Sequence, residues 1–330
     1  AVTLASGVYR VRASVPSRSK ATADMVQTDE AFWTIFSFHF LSGEAFTKAD
    51  CDAGLTRAVL DATTARRLFG TTDAVGHTVQ LDYVDYTVAG VVADVSMLAT
   101  AAYAQIWVPY TAAGAEAMSW QNDTMGPMHA IILARSSADF DAIREETELL
   151  RKKYNDGLQD VEVFYRGQPD TQLAYLYRRW YAEPDVPGVM LRYAIVVIIL
   201  LLVPAVNLSG MTLSRMRRRM AEIGVRKAFG ATGGELMRQV FFENLVLTLL
   251  AGIVGLALSY VAAFALNGFL FSNSMNASLS GETALTPGML LSPWAFIAAF
   301  AFCLLMNILS AGIPAWRASR MNITDAINQR

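Results

Sequence analysis

Glu243 is the one acidic residue inside the long apolar runs of this 330-residue chain, and ionisable groups at membrane depth are functional suspects by default. A proton or ion relay needs several such groups near the midplane. Glu243 instead stands beside Asn244 at one end of its run, where it can reach the interface or an arginine of the adjoining loop. The three histidines, His39, His77 and His129, are scattered, with no His-Glu-x-x-His and no Cys/His spacing, so they do not build a zinc site. Asp50-Cys51-Asp52 offers metal- or thiol-type ligands but has no partner, and it reads as a loop. Leu208-Ser209-Gly210 falls within an apolar run and is no nucleophile elbow. The chain has no G-x-x-x-x-G-K-[ST], and the glycine-rich Phe229-Gly230-Ala231-Thr232-Gly233-Gly234 has neither a following lysine nor a preceding strand. It is a turn between helices, not a phosphate cradle. This residue chemistry supports a non-catalytic chain with no metal and no cofactor of its own.

What the residues must be mounted on is set by a strong asymmetry. The chain is 54% hydrophobic and only 17% charged, which excludes disorder and coiled coil. Residues 1–189 carry 16 Lys+Arg against 24 Asp+Glu, a net −8, whereas 190–330 carry 11 against 5, a net +6. An acidic half joined to a basic, apolar half argues against a nucleic-acid partner and for a membrane protein with a large extramembranous domain. Val189–Leu213, Val240–Phe264 and Trp294–Trp316 each reach the length of about 20 apolar residues that a span needs. Arg192 opens the first of them, while Pro204, Asn207 and Ser209 near its end predict a kinked or partly wet segment. Between the first two runs lie Arg215, Arg217, Arg218, Arg219, Arg226, Lys227 and Arg238; between the last two, 267–292 contain no Lys or Arg. The positive-inside bias therefore places loop 215–238 and the C-terminus in the cytoplasm, with 1–188 and 267–292 outside. A domain of that size outside the membrane implies an export signal or a further span upstream, hence four spans in the intact protein.

The outer half reads as mixed strand and helix. Strands are predicted over Ala5–Val15, Arg57–Asp61, His77–Leu81, Tyr86–Val92, Gln105–Tyr110, Met128–Arg135 and Val161–Arg166, with a hairpin turn at Asp82–Asp85. Helices are predicted over Thr63–Phe69, closed by Gly70, and over Asp139–Tyr154, whose acidic start and basic end suit the helix dipole. Thr171–Tyr181 reads as a helix at the membrane surface within a stalk, 169–188, that follows a domain spanning 1–168. Cys51 and Cys303 lie in different halves and read as buried small hydrophobes. In the second span Ala251, Gly255, Ser259 and Ala263 recur every four residues, a small-residue stripe that packs either against the third span of the same chain or against a second chain. The fold class is an α+β domain joined to an α-helical transmembrane bundle.

Glu222-Ile223-Gly224-Val225-Arg226-Lys227-Ala228-Phe229-Gly230-Ala231-Thr232, followed by Leu236 and by Phe242-Glu243-Asn244, resembles the signature of MacB/FtsX-type ABC transporter permeases. Phe38 with Phe40-Leu41-Ser42-Gly43-Glu44, Leu60-Asp61 with Ala65-Arg66-Arg67-Leu68-Phe69-Gly70, Val75-Gly76-His77 and Tyr86-Thr87-Val88-Ala89-Gly90-Val91-Val92 resemble that family's periplasmic core. Ile313-Pro314-Ala315-Trp316-Arg317-Ala318-Ser319-Arg320 with Asp325-Ala326-Ile327 resembles its C-terminal tail. The resemblance implies a multi-pass subunit of the bacterial inner membrane, a homodimer or a heterodimer with a related permease, surrounded by membrane lipids. It implies a cytoplasmic ABC ATPase subunit that binds ATP and Mg, contacted through Glu222–Thr232 as a short helix ending in glycines, and allows for a periplasmic adaptor. The cargo class would be an antimicrobial peptide, a macrolide or a lipoprotein. From the residues alone, a membrane-anchored receptor that binds a periplasmic ligand and recruits a cytoplasmic signalling partner is the alternative; ligand binding without nucleotide dependence would distinguish it.

Overall fold

A computed structural model describes residues 1–16, 20–97, 99–112, 125–178, 182–266, 294 and 296–306. The chain divides into two compact units, the first running from Ala1 to Asp170 and the second beginning at Thr171.

In the first unit nine strands form one sheet: β1 Val2–Ser6, β2 Tyr9–Ser14, β3 Lys20–Thr28, β4 Phe40–Gly43, β5 Arg57–Asp61, β6 Thr78–Leu81, β7 Val84–Val92, β8 Ile106–Pro109 and β9 Met128–Ile132. The order is β2-β6-β7-β5-β8-β3-β1-β9, and β2 also pairs with β3, so six strands close into a ring. β3 pairs in parallel with β8, as β5 does with β7, and the remaining pairs are antiparallel. Alternation along each strand sends Val11, Met25, Leu60, Val79, Val88, Ile106 and Val108 to one core cluster. Their neighbours Val26, Val59, Val92 and Trp107 go to a second, with Phe32 and Phe46.

Helices are few here. α1 Phe32–Ile35 carries Trp33, which packs edge-on against Phe38, Phe46 and Trp107. α2 Lys48–Asp52 makes Asp50-Cys51-Asp52 helical, where the sequence read a loop. The overlooked signal is Thr47-x-x-Asp50, a reciprocal capping box in which Thr47 Oγ1 accepts from Asp50 N–H at 3.3 Å and the Asp50 carboxylate accepts from Thr47 N–H at 2.7 Å. α3 Ala62–Phe69 is capped by Asp61, which accepts from Thr64 N–H at 2.7 Å, and ends at the left-handed Gly70. It pushes Ala65, Leu68 and Phe69 into the first core cluster.

Three strand expectations change. Ala5–Val15 is two strands, interrupted between Ser6 and Tyr9. Residues 161–166 form no strand; the backbone N–H and carbonyl of Val163 among them are bonded from a helix. That helix is α4 Phe140–Asn155, preceded by a 3-10 turn Ser137–Asp139. Asn155 both accepts from Val163 N–H and donates to its carbonyl, at 2.9 and 3.0 Å, and Arg151 donates to the same carbonyl at 3.0 Å. The third change is that β3 and β4 are strands the sequence did not reveal.

The second unit contains α5 Gln172–Tyr177, α6 Val186–Ala228 and α7 Gly233–Ala265. Val186–Val203 within α6 and Phe241–Ala263 within α7 are long and apolar enough to cross a membrane, and almost none of their residues is buried, as lipid-facing helices require. Phe296–Met306 is a shorter apolar helix; the rest of the third expected span, and loop 267–292, lie outside the described residues. Cys51 is buried as expected, but Cys303 is exposed on that shorter helix.

Candidate functional site

α6 is 43 residues in one piece, about 65 Å at 1.5 Å per residue. It runs through Pro204 to Ala228 without a break, so Glu222–Ala228 is not a separate short helix. From Pro204 to Ala228 the stretch has five Arg, three Met and three Ala, whose helix propensities are favourable, set against Pro204, Gly210, Gly224 and several small polar and β-branched residues. The membrane segment and the signature residues are consequently one rod.

The rod is stopped by backbone geometry. Phe229 N–H donates to Val225 O at 3.2 Å and Ala231 N–H donates to Arg226 O at 3.0 Å across Gly230, whose φ is 93°. That is a Schellman closure with glycine at the left-handed position. One residue later the next helix is capped reciprocally: the Thr232 N–H and hydroxyl donate to Glu235 Oε2 at 2.9 and 3.0 Å, and Glu235 N–H donates to Thr232 Oγ1 at 3.3 Å. These bonds from Thr232, with a smaller contribution from Arg238, hold the exposed Glu235 carboxyl below the usual carboxylate range. The turn is thus closed on itself, with its own carboxylate seated at the start of α7 and no basic residue in the turn to hold a phosphate.

A third tie crosses between the helices. Arg226 donates to Glu222 Oε1 at 2.6 Å on its own helix and to Gln239 Oε1 at 2.7 Å on α7. With both partners exposed, the ion pair within α6 contributes little to stability; the bond to Gln239 is the one that ties α6 to α7. What this arrangement leaves at the tip is Phe229, 88% exposed, with Val225 half exposed behind it. The phenyl ring is thus presented to solvent at the end of a braced hairpin.

Of the signature residues, Glu222, Val225, Arg226, Phe229, Gly230, Ala231 and Thr232 come together at this hairpin, and Ile223, Gly224, Lys227 and Ala228 are placed on the α6 backbone. Glu235 and Gln239 belong to the site and were not singled out from the sequence. Thr232-x-x-Glu235 is a readable capping signal; the Gln239 contact, thirteen residues from Arg226 across a turn, has no local signal.

The small-residue stripe is divided. Ala251, Gly255 and Ser259 are exposed and Ala263 is half-buried along α7; Ser259 Oγ donates to Leu256 O at 2.8 Å. A Cβ at Gly255 would meet no described atom within 4 Å, whereas one at Gly252 would touch Phe300 at 3.5 Å. In the outer unit, an open cleft of about 510 Å³ is lined by Gly43, Glu44, Thr47, Asp50, Arg57 and Val75 among others. Its Asp50 is engaged by Thr47 and, at 3.5 Å, by Arg57, and among the described residues no cluster of three or more metal-type ligands forms. His39 precedes β4, His77 precedes β6 and His129 lies in β9, on separate elements.

A sheet domain followed by helices long and apolar enough to cross a membrane defines a membrane protein with a large extramembranous domain. Two family models match it: the MacB-like periplasmic core domain over residues 1–150 and the FtsX-like permease C-terminal over 194–323. The chain belongs to the MacB/FtsX-type ABC transporter permeases. Among curated relatives, the macrolide export ATP-binding/permease protein MacB of Escherichia coli (strain K12) is 26% identical over 314 residues, 93% of this chain and 43% of that protein. The protein of the same name from Chromobacterium violaceum is 25% identical over 307 residues, 92% of this chain and 43% of that protein. The chain thus spans less than half the length of these relatives. A solved structure, the periplasmic region of MacB from Actinobacillus actinomycetemcomitans, matches at 18% identity over 46% of this chain and 66% of that one, with a TM-score of 0.37; at that distance it carries no argument.

Proposed function

We propose that this chain is the force-transmitting permease part of an ABC export or extraction system, in which the Glu222–Glu235 hairpin is the surface pushed by an ATPase. The chain itself does no chemistry; ATP and Mg are bound by the ATPase, which lies outside these 330 residues, as a separate cytoplasmic subunit or fused, as the relatives' names join ATP-binding and permease. The reading places the protein in the bacterial inner membrane as a dimer, with the sheet domain in the periplasm acting on a peptide, macrolide or lipoprotein cargo, with or without an adaptor. The observation that carries it is mechanical. A single helix runs from the apolar segment to a doubly capped hairpin whose tip is an 88% exposed Phe229, so displacement at the tip is delivered to the membrane without a hinge.

The test is co-purification of ATPase activity with the full-length protein in detergent. An anchor aromatic at the centre of an interface is worth about 2 kcal/mol or more, roughly thirtyfold in affinity. Phe229→Ala is therefore expected to lower co-purifying ATPase by about that factor, while yield and melting temperature stay at parent values because the residue is 88% exposed. ATPase that follows both proteins equally would remove Phe229 from the contact and the hairpin from the mechanism.

A further inference from the structure

The short helix α5 and the first span lie in the same compact unit, and a single aromatic contact fixes their relative height. The Tyr177 and Tyr193 rings stand 6.3 Å apart between centroids. Tyr193 has a definite depth. The basic cluster Arg215–Arg219 marks the inner end of the span, and the run Ala194–Leu213 ahead of it contains 20 residues, about 30 Å of helix, the thickness of a hydrocarbon core. The apolar window Val186–Val203 starts seven residues before Tyr193, but it contains Arg192, whereas Ala194–Leu213 is free of charge; on the latter register Arg192 and Tyr193 fall at the opposite headgroup boundary, where tyrosine and snorkelling arginine belong. Tyr177, and with it α5, stands at that level.

α5 has the chemistry of that level. Leu173 and Leu176, three residues apart on one side of the helix, are 44% and 50% exposed, and Tyr177 lies next to them on the same face. The helix needs no protein neighbour for its ends: Thr171 Oγ1 accepts from Ala174 N–H at 3.2 Å, and Arg178 N–H closes onto Tyr175 O at 3.2 Å. The residues that follow continue an interfacial composition in sequence, Arg178-Arg179-Trp180-Tyr181. We infer that α5 is an interfacial helix that inserts Leu173 and Leu176 into the outer leaflet of the bilayer crossed by α6, with phospholipid as the occupant of its apolar face. The consequence is a lipid anchor separated from Ala194 by the 16 residues 178–193, which resists tilting of α6 near its outer end.

This inference rests on α6 being a span, and the experiment separates the two. In a Cys51→Ala, Cys303→Ala background, the full chain carries one nitroxide-labelled cysteine at a time: Leu173→Cys, Leu176→Cys, Leu200→Cys in the span, or Tyr83→Cys on an exposed hairpin. It is reconstituted in nanodiscs of equal phosphatidylcholine and phosphatidylglycerol. The ratio of collisions with oxygen, which concentrates in lipid, to collisions with a water-soluble nickel chelate is read at each site. The expected ratio at 173 and 176 is several-fold above that at 83 and below that at 200. Ratios at 173 and 176 as low as at 83, with 200 lipid-like, would put α5 in water and overturn the inference while leaving the span intact. Slow spectra at 173 and 176 reached by neither reagent would show protein covering the face and overturn it equally. A nickel-accessible 200 would take the span and the interfacial helix down together.

Discussion

Asp61 is held between two opposing demands. It caps α3 by accepting from Thr64 N–H at 2.7 Å, but it is 5% exposed, and burial pushes its carboxyl up to about 6 in spite of that bond, with the nearby Asp94 adding to the rise. A carboxyl that is raised in the folded state binds its proton more tightly there than in the unfolded chain. The stability it contributes is present below the unfolded pKa near 4 and is lost as pH rises through about 6. Asn at this position keeps the cap acceptor and cannot ionise. Asp61→Asn is therefore expected to gain on the parent as pH goes from 4 to 7, by up to about 3 kcal/mol, in thermal melts of the full chain across that range. Asp61→Ala should lose about 1 kcal/mol of capping at the acid end, where the parent's carboxyl is protonated. Two melting curves that stay parallel to the parent's would show that the carboxyl is solvated after all. Buried polar residues are also what hid β3 from the sequence. Asp24 and Gln27 break its apolar alternation, and their compensation is remote: Tyr103 donates to Asp24 at 2.8 Å and Gln27 donates to the Tyr9 hydroxyl. Such pairings, 79 and 18 residues apart, leave no local trace.

Where two strands must approach closely, the elements depend on glycine. β4 meets β7 through Phe40↔Val92, Ser42↔Val91 and Gly43↔Gly90, with a register shift between Phe40 and Ser42. A Cβ at Gly43 would lie 2.2 Å from Ala89 O, at a φ of 65°, and one at Gly90 would lie 2.6 Å from Glu44 O. Backbone cannot yield as a flexible side chain can. Gly43→Ala and Gly90→Ala are each expected to cost about 3 kcal/mol, seen as a lower denaturation midpoint and faster hydrogen exchange at Glu44 N–H, which donates to Ala89 O. Gly54, also at positive φ but with open space around it, supplies the control, since Ala there should cost about 1 kcal/mol. Elements of this kind were legible where local chemistry decides them. Asp61 and Gly70 bracket α3, and the β6–β7 hairpin turns at Asp82 and Tyr83, both at positive φ. Elements decided by distant partners were not legible: residues 161–166 have strand composition, but Asn155 and Arg151 take the backbone groups of Val163 at their centre. The hairpin site divides in the same way, its glycines and Thr232 being visible in sequence while the continuity of α6 is not.

At the scale of the whole molecule, the question is which face of α7 meets a second chain. The stripe Ala251, Gly255, Ser259, Ala263 suits either an intramolecular or an intermolecular seam, and the glycines separate the two. Gly252 faces Phe300 of the chain's own apolar helix at 3.5 Å, while Gly255, about 60° away around the helix from Gly252's position, faces no described residue. Filling Gly252 with a leucine side chain forces Phe300 aside, an overpacking cost of about 1–3 kcal/mol that belongs to the monomer. Filling Gly255 meets no described atom of the monomer, but it holds apart any helix that packs there and removes the close approach on which small-residue association depends. In detergent, Gly252→Leu is expected to lower the melting temperature and Gly255→Leu to leave it in place while shifting mass from dimer to monomer in light scattering, an affinity loss of roughly thirtyfold for about 2 kcal/mol. A dimer that survives Gly255→Leu unchanged would move the seam off this stripe. A monomer that melts early with Gly255→Leu would instead return the stripe to packing within the chain.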